Sequence, residues 1–262
     1  MNTISKKLRL KALSVAKRVG AIHVGGIFSS LEFIYSFYKF SLENDKKELK
    51  FIISKGHCYL AQLIVLEELG IEKNICNSYL LEGTSFFGHP KRVSNNSNFI
   101  VSAGALGQGI TMGNGIAFAQ KIKKSKIQTW TLIGDGELNE GSCNEAFLFA
   151  AQHNLNHIFV LDNNKQESLD LTEEIQTNGD IKSRIESYGI QYKSIEGHNI
   201  FEIMRIIDYL SNKSGPFFLD LQTIKGKGVS FMEGNPIWHS RRFKNNELPD
   251  AIQELSGENF EE

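Results

Sequence analysis

Two apolar runs that each stop at a cluster of small polar residues constrain this chain more than any other feature. Residues 127–133 (IQTWTLI) end at Gly134-Asp135-Gly136, and residues 157–161 (HIFVL) end at Asp162-Asn163-Asn164. Short β-branched runs separated by a helix-length segment predict parallel strands buried on both faces. In such sheets ligands bind beyond the carboxyl ends of the strands. The pattern continues: residues 104–121 predict a glycine-led helix, 145–152 a buried helix, and 181–188 and 201–210 two more. Residues 190–195 and 217–223 predict further strands. Residues 1–100 read mainly as helix and loop, with the phenylalanines of 33–40 at helical spacing as core. No repeat, low-complexity tract or Pro-rich linker interrupts the chain. The expectation is an α/β fold: a single domain over 1–262, with a parallel sheet flanked by helices and a terminal tail at 241–262. From Leu248 that tail carries Asp250, Glu254, Glu258, Glu261 and Glu262, which predicts a last helix or a solvated end.

Composition removes several function classes. A net charge of −1 offers no basic field for nucleic acid or an anionic membrane. The longest apolar run, residues 146–151, is far short of the ~20 residues of a membrane span. Cys58, Cys76 and Cys143 form no CxxC pair, which fits a reduced, cytoplasmic setting. The basic N-terminus has no acidic residue before Glu32 and can mimic a transit peptide. Its expected identity is a first helix whose apolar face includes Leu8, Leu10, Leu13 and Val15.

The two polar strand ends carry complementary chemistry. Glycines around Asp135 let a diphosphate approach the backbone, and a helix N-terminus expected just after them favours negative charge. Asp135 and Asn164 offer one charged and one neutral oxygen, the donor type Mg²⁺ prefers. Neither GxGxxG nor GxxxxGK[ST] is present, which argues against a plain nucleotide-binding domain.

These residues resemble the diphosphate-binding part of transketolase, a thiamine diphosphate enzyme. The resemblance runs through Ile22-His23-Val24-Gly25-Gly26, Ser54-Lys55-Gly56-His57, Gly88-His89-Pro90, and Ser102-Ala103-Gly104-Ala105-Leu106-Gly107-Gln108-Gly109. It continues through the Asp135 and Asn164 segments, Glu196-Gly197-His198, the 225–231 stretch KGKGVSF and Trp238-His239, covering roughly residues 5–240. It implies the thiamine diphosphate fold and transfer of a two-carbon ketol unit from a ketose to an aldose through a cofactor carbanion. Asp135, Asn164 and the carbonyl of Gln166 match the ligands of Mg²⁺ (or Ca²⁺ or Mn²⁺). Gly134, Gly136, Glu137 and His57 match the diphosphate side, and Gly104, Ala105 and Leu106 the aminopyrimidine side. His23, His57, His89 and His239 match the catalytic histidines, His239 also touching the cofactor. Glu140 resembles the glutamate that links paired sites across the subunit interface. Imidazoles suit this chemistry because they donate to an oxyanion and move hydroxyl protons near neutral pH.

The remaining histidines and lysines have plainer expected roles. His153 and His157 read as structural, His198 as a helix cap or packing residue, and Lys225 and Lys227 as solvated loop residues near the site. Asn144, Glu167-Ser168-Leu169, Asn199 and Ser240 depart from the family pattern, where Trp, a glycine turn, Asp and Gly are usual. These departures direct attention to a modified sugar.

The resemblance stops before the pyrimidine-binding domain, which implies a C-terminal partner subunit and an α2β2 heterotetramer. Phosphorylated or modified sugars are the implied substrates, with no nucleic acid and no membrane. Two alternatives share the metal signature: an α-subunit of a 2-oxo-acid dehydrogenase-like enzyme, and a degenerate non-catalytic subunit.

Overall fold

The structure, a computed structural model, describes residues 1–44 and 48–257. The first part of the chain forms α1 (Thr3–Val19), β1 (Ala21–Ile22), α2 (Val24–Glu43), β2 (Leu49–Ile53), α3 (Tyr59–Glu68) and the short α4 (Ile75–Ser78). There follow α5 (Gln108–Ile122), β3 (Gln128–Gly134), α6 (Gly141–Gln152), β4 (His157–Asn163), the short α7 (Thr172–Ile175) and α8 (Ile181–Ser187). The last elements are β5 (Gln191–Glu196), α9 (Ile200–Ser211), β6 (Phe217–Gln222), β7 (Arg241–Arg242) and α10 (Glu247–Ser256).

Five strands pair in the order β2-β3-β4-β6-β5, all parallel. Every residue of β3 and β4 is buried, so their apolar runs are continuous and not alternating. Alternation decides the face instead. Ile158 and Val160 point into the core beneath α1, α2, α3 and α9, while Phe159 and Leu161 point into the one beneath α5, α6 and α8. Trp130 anchors the larger core, with its ring 5.7 Å from Phe37, which in turn lies 5.0 Å from Phe51. Each such buried aromatic contributes about 1.5–3 kcal/mol relative to exposure.

The N-terminal segment is helical, with Leu8, Leu13 and Val15 buried and Leu10 packed at the edge of the core. Residues 1–100 nevertheless contain two strands. The longer, β2, escapes a reading by composition because only Phe51, Ile52 and Ile53 are fully buried on this sheet edge. The glycine-led helix starts at Gln108, with Gly107 outside it at φ +76°. The helix expected directly after Asp135 is a 3₁₀ turn, Gly136–Asn139, and α6 begins only at Gly141. Nor is α6 buried all round, since Leu148 is 55% exposed and Phe149 40% exposed. The acidic tail forms α10, whose Ala251 and Leu255 join the larger core. Glu258, Glu261 and Glu262 lie outside the described residues.

A second, two-stranded sheet positions the site. β1 and β7 pair antiparallel, Ala21 with Arg242 and Ile22 with Arg241. This brings the segment before α2 against the segment that follows Trp238.

Candidate active site

Four neighbouring strands each deliver a charged or polar side chain from just beyond their carboxyl ends. Lys55 follows β2, Asp135 follows β3, Asn164 follows β4 and Lys225 follows β6. All four line one cavity of roughly 290 Å³, at the low end of the size range of small-ligand pockets.

Four histidines line the same cavity. His23 precedes α2, His57 lies in the 3₁₀ turn Gly56–Cys58, His89 lies in the loop between α4 and α5, and His239 follows the turn Pro236–Trp238. The ring of His23 lies 5.3 Å from His57, 6.3 Å from His89 and 5.3 Å from His239, and His57 lies 5.1 Å from His239. The approach depends on Gly26: a Cβ there would stand 2.7 Å from Cys58 Sγ and 3.4 Å from His57 Nε2.

Burial keeps three of these rings neutral. It lowers His23 to about 4, aided by His89 and Lys225. His239 falls to about 3 through burial, then Lys225 and His23. His57 is held well below the ordinary imidazole range by burial and the Lys55 ammonium. Three neutral imidazoles therefore face the cavity at pH 7, each with a lone pair and an N–H. Lys225 is itself lowered to about 8 by burial and by Lys55. Its Nζ meets His239 Nδ1 at 3.2 Å and donates to the Glu167 carbonyl. The ammonium donates, so His239 Nδ1 accepts and its proton sits on Nε2.

The acids divide into two kinds. Asp162 is saturated: it pairs with Lys55 and accepts from Ser29 Oγ at 2.6 Å, Ser30 Oγ at 3.1 Å and Thr223 Oγ1. Burial acts to raise its pKa, but Lys55 and these donors hold it low. Asp135, by contrast, accepts the Asn164 N–H at 2.8 Å through Oδ2, while its buried Oδ1 has no partner among the described residues. Burial, then the Asp162 charge, pushes it up to about 7. Gln166 Oε1 is likewise buried without a partner, and the Gln166 N–H donates to Asn164 Oδ1 at 3.1 Å. Orphaned carboxylate and amide oxygens on one wall are the donor set of a hard divalent cation. Among the described residues no group of three or more His, Cys, Asp or Glu offers a metal site. A cation here would thus rely on amide and carbonyl oxygens beside one carboxylate.

Gly134, Gly136, Glu137 and Leu106 also line the cavity. The Glu137 carboxylate is occupied in tying loops together, accepting from Ser54 Oγ, Gly107 N–H at 2.9 Å and Gly134 N–H at 3.2 Å. A Cβ on Gly136 would lie 3.0 Å from the Glu167 carboxyl carbon, so glycine here leaves the backbone open to the cavity. Gly104, Ala105 and Glu140 do not line the cavity. Gly104 packs beside His89, and Ala105 and Glu140 are exposed.

Several expectations need correction. Lys225 is not solvated but only 2% exposed, inside the cavity wall. His198 does not cap α9, because Asn199 Oδ1 accepts from the N–H groups of Phe201 and Glu202. His157 is, as expected, a core residue, bonded to Thr131 and Asn114. Lys55 and Asp162 belong to the motif segments, yet nothing in sequence alone marks them as a pair.

Comparison with known proteins gives the family and the fold. Residues 2–261 match the family model described as transketolase, thiamine diphosphate binding domain. The chain is 32% identical to an apulose-4-phosphate transketolase subunit of Phocaeicola vulgatus, covering 96% of this chain and 92% of that protein. It is 29% identical to the 6-deoxy-6-sulfo-D-fructose transketolase subunit SqwG of a Clostridium species, over 97% and 94%. Human transketolase is 28% identical, matching 96% of this chain but only 41% of its own length. Among solved structures, a transketolase from Pichia stipitis superposes with a TM-score of 0.82 at 25% identity, covering 98% of this chain and 40% of that one. A transketolase from Leishmania mexicana superposes at 0.81 with 20% identity, over 97% and 41%. The chain therefore spans about two fifths of the long transketolases and nearly all of the two proteins named as transketolase subunits.

Proposed function

Because the chain belongs to the transketolase family as its thiamine diphosphate-binding domain, we propose that it is one half of a two-subunit transketolase. The complete enzyme moves a two-carbon ketol unit from a ketose to an aldose. Its partner is a second chain with the pyrimidine-binding domain, the pair assembling as an α2β2 heterotetramer. The near full-length match to two proteins named as transketolase subunits supports the division. Those relatives' names, and the departures at Glu167, Ser168 and Ser240, favour a phosphorylated or otherwise modified sugar in a specialised pathway. Three free, buried cysteines favour the cytoplasm. No helix of the described residues is long and apolar enough to cross a membrane.

One observation carries the assignment of the site: four histidines and the Asp135–Asn164 pair line a single cavity. In this reading Asp135, Asn164 and the Gln166 carbonyl hold Mg²⁺, or Ca²⁺ or Mn²⁺ in its place, satisfying the orphaned oxygen of Asp135. Lys225, His57 and the backbone of Gly134 and Gly136 face the diphosphate, and Leu106 the aminopyrimidine. Thiamine diphosphate, when bound, supplies the carbon nucleophile. The protein's own task is to hold the sugar and move its protons. His239, with its proton on Nε2, donates a hydrogen bond to a sugar oxygen, and Lys225 behind it stabilises negative charge there. His23 and His89 accept and return hydroxyl protons, a task suited to imidazole. Glu140, exposed and outside the cavity, is left for the subunit interface.

Calorimetric titration of thiamine diphosphate with Mg²⁺ tests the division of labour. Tight binding to this chain mixed with its partner, and weak binding to this chain alone, is the expected result. Equal tight binding to this chain alone would sink the shared-site reading.

A further inference from the structure

A line of polar contacts, buried at Arg9 and Glu32 and exposed at its far end, runs from the outer helices toward the cavity and has no part in the chemistry above. Arg9 on α1 is fully buried, and its guanidinium meets Glu32 on α2 through bonds of 2.6 and 3.1 Å. Its Nε donates to the Lys227 carbonyl. Glu32 Oε2 meets His198 Nδ1 at 3.1 Å, and His198 Nε2 accepts the backbone N–H of Ile224 at 2.9 Å. A backbone N–H can only donate, so Nε2 bears the lone pair and Nδ1 the proton that goes to Glu32. Burial acts to raise the Glu32 carboxyl, but Arg9 and His198 outweigh it and hold it down at about 2. The acceptor end of the line is therefore a permanent charge.

The loop gripped at Ile224 and Lys227 holds Lys225 between them. A third bond, Gly226 N–H to the Gly25 carbonyl at 3.0 Å, docks the same loop against the start of α2. From there Lys225 reaches into the cavity to His239 and Glu167. His198 itself does not line that cavity.

We propose that His198 is a positioning residue: by accepting the Ile224 N–H it fixes the backbone from which Lys225 enters the active site. Glu32 holds the imidazole in the tautomer that can accept, and Arg9 holds Glu32. The grip itself is independent of the proposed function, which enters only in what Lys225 does once placed.

Two substitutions separate the two ends of the ring. In His198→Gln, Oε1 takes the place of Nε2 and keeps an acceptor for Ile224 while losing the donor to Glu32. In His198→Asn, Nδ2 takes the place of Nδ1 and keeps the donor while leaving Ile224 without a partner. Amide hydrogen exchange across Ile224–Lys227 in the full chain reads the grip directly. Kinetics of the chain assembled with its partner subunit read the consequence. The expected result is roughly ten-fold faster exchange and roughly ten-fold lower kcat/KM in His198→Asn, with His198→Gln within about three-fold of wild type. In a Lys225→Met background, His198→Asn should lower kcat/KM no further. Equal effects of the two substitutions, or full additivity with Lys225→Met, would overturn the proposal and leave His198 as packing for the Arg9–Glu32 pair. If no preparation transfers ketol units, the proposed function fails on its own, and the exchange comparison still decides the grip.

Discussion

Lys55, just beyond the edge strand β2, and Asp162, near the carboxyl end of the central strand β4, form a buried ion pair, and that pairing leaves the neighbouring Asp135 without a cation. The register of β3 on β4 sets Gly134 opposite Asp162, so the two acids stand side by side. One is neutralised by protein, and the other keeps a buried oxygen without a partner among the described residues. Removing one partner of a buried pair typically costs about 3–5 kcal/mol, because the remaining charge has no counterion. Lys55→Met should therefore lower stability by about that amount in urea denaturation. Adding Asp162→Asn should restore a large part of it; a double variant no more stable than the single one would show that the pair is not coupled.

Asp135 should behave in the opposite way. Its Oδ1 is buried with no partner, so Asp135→Asn removes a cost of desolvation. In EDTA the variant should melt about 2–4 °C higher than wild type, the shift expected of about 1 kcal/mol in a chain of this size. The same variant should lose the rise in Tm that Mg²⁺ with thiamine diphosphate gives the assembled wild type. Thermal melts with and without both ligands separate the two effects. A lower Tm in EDTA would mean that the carboxylate is structurally compensated after all.

His89→Ala and His239→Ala should lower turnover much more than cofactor affinity, by about 10²-fold each, one losing a proton-transfer group and the other a hydrogen-bond donor. Asn164→Ala should do the reverse, weakening Mg²⁺ and cofactor binding. Steady-state kinetics of the assembled enzyme, beside calorimetry on the same preparations, distinguish the two patterns. Full activity in both histidine variants would remove them from the catalytic set.

Acid should destabilise the chain well above the carboxylate range. His157 lies entirely within the core, and burial lowers it to about 3. His23 and His239 are lowered to about 4 and about 3. In the unfolded chain these imidazoles take up protons near pH 6.5, so below that pH the unfolded state binds more protons than the native one. The histidine contribution to stability is thus complete above about pH 6.5 and is lost as pH drops toward 3–4, by up to about 1.4 kcal/mol per pH unit for a fully buried ring such as His157. The raised carboxyl of Asp135 offsets part of that loss over the same range. Urea titrations between pH 7 and 5 check the slope, which should become shallower in His157→Gln. A flat profile over that range would rule the histidines out.

How far the sequence can be read depends on whether the signal is local. β3 and β4 are continuous apolar runs ended by polar clusters, so both strands and the Asp135–Asn164 pair at their ends are visible in the sequence. β2 is not, because an edge strand with two half-buried residues leaves only Phe51, Ile52 and Ile53 as signal. Lys225 reads like any solvated loop lysine, since it is packed against Gly25 from two hundred residues earlier and against His239, neither of which is adjacent in sequence. The same limit applies to His198. Its neighbours in sequence point to the cap of α9, a role that Asn199 takes, whereas its partners Glu32 and Ile224 arrive only with the tertiary fold.

The short pairing of β1 with β7 sets the order of events in the birth of the molecule. His23 leaves the ribosome long before His239, and their rings meet only when Ile22 finds Arg241 across nearly the whole chain. Contacts so distant along the chain carry the largest loop-closure entropy and form late. The five parallel strands all precede Arg241, so the sheet itself does not include the pairing that sets His239 beside His23. The cavity is thus closed by a contact between segments more than two hundred residues apart, and its histidine wall exists only once that contact has formed.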